Sequence, residues 1–431
     1  MIAPARAAAF DILINVARNQ GHSDELLRGS AVDRLSPQDR NLTTNLVMGT
    51  LRWQLLLDQR ITSLLARPET KLPLPVQMAL RLGAFQLIFL DRIPVHAAIG
   101  ESVELAKQGE SKFAAGMVNA ILRKIASSAK LTQSVPQIDA VAAHPEWLVA
   151  RWAENYGSEA AKAICLYDQQ QPPVTLRLVD EQSEASLLSN GIELAPGDFL
   201  ASARRVVRGD VTASAAFRSG AVRIQDEGSQ LIAELADHGQ RILDLCAAPG
   251  GKTAILAERN PEAVITACDV SSRRLNSMRE LLAGSPGAER IRYLHADATT
   301  FQLEPEYDLI LCDAPCSGTG TIARNPEIRH RLAPADLKRQ QAKQLAILSS
   351  AMQGLAPGGR LIYSTCSLEP EENEEVVERC VDRAPGMALQ SFARVEGLPA
   401  TAFSGHYLRT IPGIHPCDGF FAAQIISTRT A

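Results

Sequence analysis

A chain of 431 residues, 46% hydrophobic and 21% charged, has the composition of an ordinary globular protein and room for two or three domains. No apolar run reaches the length of a membrane span, and Arg6, Asp11 and Arg18 interrupt the N-terminal apolar positions, so neither a spanning helix nor a signal peptide is expected. The eight Cys are irregularly spaced without a Cys-x-x-Cys pair, which argues against a disulfide framework or structural zinc and for reduced thiols in the cytoplasm.

The net charge of −4 is unevenly spread. Residues 1–135 hold 16 Lys/Arg against 11 Asp/Glu, and the remainder holds 28 against 37. A basic first part on an acidic body suits an anionic partner, although a solvated helical surface has the same signature.

Residues 1–130 read as helix throughout. Phe10, Ile12, Leu13, Ile14 and Val16 have helical spacing, and Ser36-Pro37-Gln38-Asp39 is a helix start with Ser36 as N-cap. Further helices are expected from Leu74, from Pro94 and over Phe113–Ile125. The stretch Pro94-Val-His-Ala-Ala-Ile-Gly-Glu-Ser-Val-Glu-Leu-Ala-Lys107, with Val118-Asn-Ala-Ile-Leu-Arg123, resembles the NusB-type RNA-binding helical domain. That resemblance makes Lys107, Lys112, Arg123 and Lys124 candidate phosphate contacts.

Residues 128–140 are polar and aperiodic, as in a linker. Trp147, Leu148 and Trp152 mark an apolar helix face, and Pro172–Val179 alternates like a strand. A small α/β linker domain is expected over 141–235 and a larger catalytic one over 236–431. Gln225–Gln230 leads into a helix.

From Arg241 strands and helices alternate, the pattern of a doubly wound, mostly parallel sheet. Ile242–Cys246 reads as a buried strand. Ala247-Ala248-Pro249-Gly250-Gly251-Lys252-Thr253 is the turn after it, where small residues let a ligand approach the backbone and a helix N-terminus offers N–H donors. A Walker A loop would need Gly at Cys246, and a dinucleotide fingerprint would need Gly-x-Gly-x-x-Gly; neither is present. Val264–Asp269 is the next strand, ending in an acid 23 residues after Cys246, where a carboxylate can bind two ribose hydroxyls. Arg274 is placed to pair with Asp269. A third strand, Ile291–Asp297, ends in Asp297, a candidate acceptor for an adenine amino group. The loop resembles that of class I (Rossmann-like) methyltransferases, which implies S-adenosyl-L-methionine held by Cys246–Lys252, Asp269, Arg274, Asp297 and Asp313.

Leu309–Cys312 is a fourth strand, breaking at Asp313-Ala-Pro-Cys316-Ser-Gly-Thr-Gly320. A second thiol, Cys366, ends the apolar run from Arg360. Carbon 5 of cytosine is a poor nucleophile; a thiolate adding at C6 turns it into an enamine carbon, which is nucleophilic catalysis by cysteine. The charge that builds up at N3 asks for a hydrogen-bonding acid, and Asp313 is the candidate. Pro370 reads as a helix start whose N-terminus would favour a nearby thiolate, while the six Glu at 369–378 oppose it unless they face away.

Asp313-Ala-Pro-Cys316-Ser-Gly and Tyr363-Ser-Thr-Cys366-Ser are similar to the RNA cytosine-5 methyltransferases of the RsmB/Fmu/Sun type. The resemblance implies that Cys366 is the nucleophile, that Cys316 assists release, and that the substrate is 16S rRNA, naked or partly assembled. Arg324-Asn-Pro-Glu327 continues the pattern and makes Arg324 a candidate RNA contact. His330 stands where many members carry Trp, and Gln424 where members often carry Lys. Transfer RNA as substrate, and a non-catalytic RNA-binding or antitermination factor, are the alternative readings; the second predicts loss of the two cysteines, and both are present.

Overall fold

The computed structural model describes residues 2–108, 114–131, 140–301, 303 and 306–430. The chain divides into two compact units, Met1–Gln171 with Ile322–Arg331, and Pro172–Thr321 with Leu332–Ala431.

The first unit is helical, with no strand among its described residues. Ser36 caps the helix Pro37–Arg52 as expected, its Oγ accepting from Asp39 N at 3.1 Å. Helices Pro4–Ala17, Leu74–Phe89, Val95–Gln108 and Ala115–Leu131 enclose a core that includes Leu13, Leu46, Leu80, Phe85, Leu105 and Leu122. Helices Glu146–Tyr156 and Ser158–Asp168 also belong to this unit; Trp152 is fully buried and Trp147 half-buried.

The segment Ile322–Arg331 joins this unit by buried polar contacts. Glu327 accepts from Ser23 N and Ser23 Oγ, both at 2.9 Å. Arg329, 2% exposed, donates to the carbonyls of Ala143 at 3.1 Å and Arg52 at 3.3 Å. A buried guanidinium needs such acceptors, because an unpaired charge there costs several kcal/mol. His330 Nε2 lies 2.8 Å from Leu51 O and therefore carries its hydrogen.

Burial lowers His330 to about 3 from an ordinary 6.5. The imidazole is neutral when folded and charges when unfolded. Its contribution to stability is full above pH 6.5 and is lost as pH falls toward 3. Buried His144 is lowered in the same sense by burial. Denaturant midpoints should therefore drop between pH 7.5 and 5. His330→Trp should reduce that drop, since an indole N–H can donate to Leu51 O without titrating.

The second unit carries two sheets. In the smaller, strands β1 (Thr175–Leu178), β2 (Glu193–Pro196), β3 (Ala203–Arg208) and β4 (Val222–Ile224) lie antiparallel in the order β2-β3-β1-β4. Arg177 of β1 is 5% exposed and is paired with Glu234 at 2.7 Å and Glu258 at 2.9 Å. Those acids ride on helices Glu227–Leu235 and Gly251–Arg259, so the small sheet is tied to the helix that follows the expected donor loop.

The larger sheet holds β5 (Arg241–Leu245), β6 (Val264–Asp269), β7 (Ile291–His295), β8 (Tyr307–Asp313), β9 (Leu355–Thr365), β10 (Met387–Gln390), β11 (Phe403–Ser404), β12 (Tyr407–Arg409) and β13 (Phe421–Ser427). Its order is β11-β12-β13-β9-β8-β5-β6-β7, with β10 also on β13. Strands β5 to β9 are parallel and β13 runs against β9. Apolar cores cover both faces, one including Ile242, Ile265, Leu309 and Ile362, the other Leu243, Ile310, Leu361 and Phe421. This is the doubly wound class I methyltransferase architecture that the sequence predicts. Among the described residues, no helix is long and apolar enough to cross a membrane.

Candidate active site

Strand order reverses between β5 and β8, with β6 and β7 on one side and β9 and β13 on the other. In an open α/β sheet a ligand crevice forms at such a switch point, beyond the carboxyl ends of the strands. The two loops that leave β5 and β8 hold most of the residues singled out from sequence.

After β5 the chain turns sharply. Cys246 has a φ of 62° and Gly250 one of 107°. A Cβ on Gly250 would lie 2.8 Å from the Met278 side chain, and this backbone conformation disfavours any L side chain. No side chain caps the helix Gly251–Arg259, so its first-turn N–H groups are open to a ligand. Asp269, at the end of β6, is 3% exposed; Oδ2 accepts from Ala248 N at 3.2 Å and Oδ1 from Ser271 N at 2.9 Å. Arg274 pairs with Asp269 at 3.4 Å and donates to Ala248 O at 2.5 Å. Each oxygen of Asp269 retains acceptor capacity for a ribose hydroxyl. Asp297 lies two residues beyond β7, exposed, and accepts from Thr299 N at 2.9 Å.

Asp244 was not singled out from sequence, because it reads as one residue of a buried strand. It is 1% exposed, and Oδ2 accepts from Thr253 Oγ1 at 2.5 Å. Its Oδ1 has no hydrogen-bond partner, and burial raises the carboxyl to about 7. A buried orphan acceptor beside a side-chain-free cradle fits an amine- and hydroxyl-bearing donor such as S-adenosyl-L-methionine.

The thiols stand on neighbouring strand ends. β8 and β9 pair with Asp313 opposite Ser364, and Cys316 and Cys366 follow on the two loops. Their Sγ atoms are 3.4 Å apart. Asp313 Oδ1 accepts from Ser364 Oγ at 2.7 Å, and Oδ2 pairs with Lys252 Nζ at 2.8 Å. The Lys252 ammonium also lies 5.6 Å from the centroid of the Phe420 ring. Burial alone would lower Lys252, but the charge of Asp313 and the hydrogen bond to it, then Cys366 and Asp244, raise it above the usual lysine range. Cys316 is pushed well above an ordinary thiol by its hydrogen bond to Cys366, by burial, and by the charges of Cys366 and Glu372.

The helix expected from Pro370 begins later in the chain. Pro370–Glu372 is a single 3₁₀ turn, and the α-helix begins at Glu374. The reason lies in Asn373, whose side chain is taken by Ser367 O at 2.9 Å and Thr365 Oγ1 at 2.5 Å, which holds its backbone out of the helix. Nor do the acids all face away: Glu369 and Glu372 are fully buried. Glu372 Oε1 accepts from Ser317 N at 2.8 Å and Gln344 Nε2 at 3.1 Å, and Oε2 accepts from the hydroxyls of Ser317 and Ser367. Periodicity gives no sign of it, because Ser317 and Gln344 lie 55 and 28 residues away and Ser367 is its one near partner among these.

In the helical unit, Lys107 pairs with Glu104 at 2.6 Å, Arg123 donates to Asn119 Oδ1 at 3.2 Å, and Lys124 is exposed; Lys112 lies outside the described residues. His96, Asn119, Arg123 and Ser127 line a concavity of about 610 Å³. Arg324 belongs to the Ile322–Arg331 segment of that unit. Gln424 sits in β13 and donates to Gln390 Oε1 at 2.5 Å, a bond between paired strands.

Comparison with known proteins matches residues 232–426 to "16S rRNA methyltransferase RsmB/F", residues 3–127 to the NusB family, and residues 144–206 to the ferredoxin-like domain of RsmF/B-like methyltransferases. The probable ribosomal RNA small subunit methyltransferase B of Bacillus subtilis is 34% identical, covering 97% of this chain and 98% of that protein. The ribosomal RNA small subunit methyltransferase B of Pseudomonas putida is 35% identical, covering 92% of each. A solved structure titled PH0851 superposes with a TM-score of 0.79 over 99% of both chains at 24% identity.

Proposed function

The chain belongs to the RsmB/F family of 16S rRNA methyltransferases, and on that premise we propose that it methylates carbon 5 of a cytosine in small-subunit ribosomal RNA through a covalent adduct with Cys366. S-adenosyl-L-methionine is the donor and supplies the electrophilic methyl group. The loop Cys246–Lys252 with Asp269 and Arg274 holds it, Asp244 offers a free acceptor, and Asp297 stands at the adenine end. The observation that carries the reading is the thiol pair, 3.4 Å apart on the ends of adjacent parallel strands, beside the Lys252–Asp313 ion pair.

Cys366 Sγ adds to C6 and C5 becomes an enamine carbon. Asp313, anchored by its ion pair with Lys252, faces the N3 edge of the flipped base, and the Lys252 ammonium offsets the charge that builds up at N3 and O2. After methylation the C5 proton passes to water, its electron pair re-forms the C5–C6 double bond, and the C6–S bond breaks with Cys366 leaving as thiolate. The Cys316 thiol stands 3.4 Å from the departing sulfur and is placed to protonate it. The basic helical unit supplies phosphate contacts for the RNA.

The test is methyl transfer from labelled S-adenosyl-L-methionine to naked 16S rRNA, followed by nucleoside analysis. Label in 5-methylcytidine is expected. Label in transfer RNA alone would reassign the substrate, and donor binding without transfer to any RNA would indicate a non-catalytic RNA-binding factor. Lys252→Met should lower kcat about a hundredfold or more, since it removes a preorganised buried charge. Single-turnover kinetics at saturating donor would measure it.

A further inference from the structure

We propose that Asn373 is a positioning residue for the nucleophile: its amide clamps the two residues that flank Cys366 and so fixes where the sulfur meets the base. The inference rests on the reading of Cys366 above. The sheet holds the chain only as far as Thr365, the last residue of β9, which pairs with Phe421 of β13. Cys366 lies just past that end, where a loop swings unless something ties it. One tie comes from the other thiol's loop, since Cys366 O accepts from Gly320 N at 2.9 Å. Asn373 supplies the rest. Its Oδ1 accepts from Thr365 Oγ1 at 2.5 Å, and its Nδ2 donates to Ser367 O at 2.9 Å. The Thr365 hydroxyl oxygen in turn accepts from Ser367 N at 3.2 Å. The three bonds close a ring from one flank of Cys366 to the other. Thr365, Ser367 and Asn373 are fully buried, while Cys366 is half-buried. The anchors are inside, and the residue that reacts is the more open one.

Two features set this apart from ordinary helix capping. Asn373 stands at the N-cap of the helix Glu374–Val381, where an asparagine side chain commonly accepts from the first turn of its own helix. Here it makes no such bond, and both ends of the amide go to the cysteine loop instead. The clamp also needs an amide in particular. Within one planar group, one atom accepts from a hydroxyl while the other donates to a carbonyl. A carboxylate would turn an acceptor toward Ser367 O, and an apolar side chain would leave that buried carbonyl without this donor. The placement is one-sided as well. Glu372, one residue earlier, bonds to the loops of both thiols, whereas the side-chain bonds of Asn373 flank Cys366 alone. Its loss should therefore act on the addition step, which belongs to Cys366.

The test is the rate of covalent adduct formation by the full chain with 16S rRNA containing 5-fluorocytosine at saturating S-adenosyl-L-methionine. Conjugate is followed against time, and peptide mass spectrometry identifies the cysteine. Donor Kd and RNA KM are measured beside it, and the urea midpoint reports folding. In Asn373→Ala the adduct should form about tenfold to a hundredfold more slowly, because a shift of about 1 Å in a reacting group can cost that much. Donor Kd and RNA KM should stay within about twofold of the parent's, since the ring touches neither ligand. Thr365→Val removes the hydroxyl from the other end of the ring and should slow the adduct similarly, and Thr365→Ser, which restores it, should recover most of that loss. The double variant Asn373→Ala with Thr365→Val should be little slower than either alone, as expected of parts that act together. A folded Asn373→Ala with the parent's adduct rate would overturn the inference. So would a folded Thr365→Val with that rate, which covers the case in which Asn373→Ala does not fold. Variants whose loss lies wholly in Kd or KM would overturn it too. A parent conjugate at Cys316 would overturn the assignment of the nucleophile and the inference with it; that failure shows in the parent, the others only in the variants.

Discussion

Cys366→Ala is expected to abolish methyl transfer, by about four to six orders of magnitude, because on the proposed mechanism it removes the nucleophile that forms the intermediate, which has no substitute. Cys316→Ala should behave differently. Under the proposed roles its nucleophile is intact, so addition at C6 proceeds, but the proton donor beside the departing sulfur is gone. The decisive measurement uses 16S rRNA containing 5-fluorocytosine. Fluorine cannot leave C5 as a proton, so the adduct persists and migrates as a protein–RNA conjugate. A conjugate is expected with the parent and with Cys316→Ala, and none with Cys366→Ala. With ordinary RNA, Cys316→Ala should accumulate conjugate while turnover falls. A conjugate lost only in Cys316→Ala would reverse the two roles. The 3.4 Å separation of the sulfurs is what makes the experiment sharp, since either thiol is near enough to take the other's place by position alone. Cys316 is pushed well up by its hydrogen bond to Cys366, by burial and by the charges of Cys366 and Glu372.

The parts of the site that lie along one strand and its loop were legible in the sequence. Val264–Asp269 is the strand expected, and Asp269 pairs with Arg274 as expected, because both features follow from local spacing. The turn at Cys246–Lys252 was legible from its small residues. Residues whose role depends on distant chain were not. Glu372 gives no local signal, since it sits in a run of acids that reads as repulsive, and its partner Ser317 is 55 residues away. Glu327 bonds Ser23 across 304 residues, so the membership of Ile322–Arg331 in the helical unit has no sequence signature. Arg177 looks like the polar position of an alternating strand, yet it is buried between two acids on later helices. Asp244 was hidden by its apolar neighbours. In each case the missing information is a tertiary partner, which periodicity does not encode.

Gly320→Ala should cripple the protein through the backbone alone. A Cβ at this position would lie 2.3 Å from Gly419 O and 2.8 Å from Gly419 Cα, and neither atom can rotate away as a side chain can. Non-bonded carbon contacts are comfortable near 3.5–4.0 Å, so the two chains must part by about 1 Å or more. Two hydrogen bonds hold them where they are: Gly320 N–H donates to Cys366 O at 2.9 Å, and Gly320 O accepts from Gly419 N at 2.7 Å. Losing both and overpacking the contact should cost about 2–4 kcal/mol. The functional cost should be larger than the stability cost suggests. Gly320 ends the loop that begins at Asp313 and carries Cys316, and it is bonded to the backbone of Cys366. A shift of about 1 Å in a reacting group can cost about a hundredfold in rate. Gly100→Ala is the control. It lies inside the helix Val95–Gln108, where a Cβ meets nothing within 4 Å, and Ala there should be neutral or stabilising by up to about 1 kcal/mol. Urea midpoints and single-turnover rates would report both effects. A Gly320→Ala protein with the parent's midpoint and rate would mean that the two loops tolerate wider spacing.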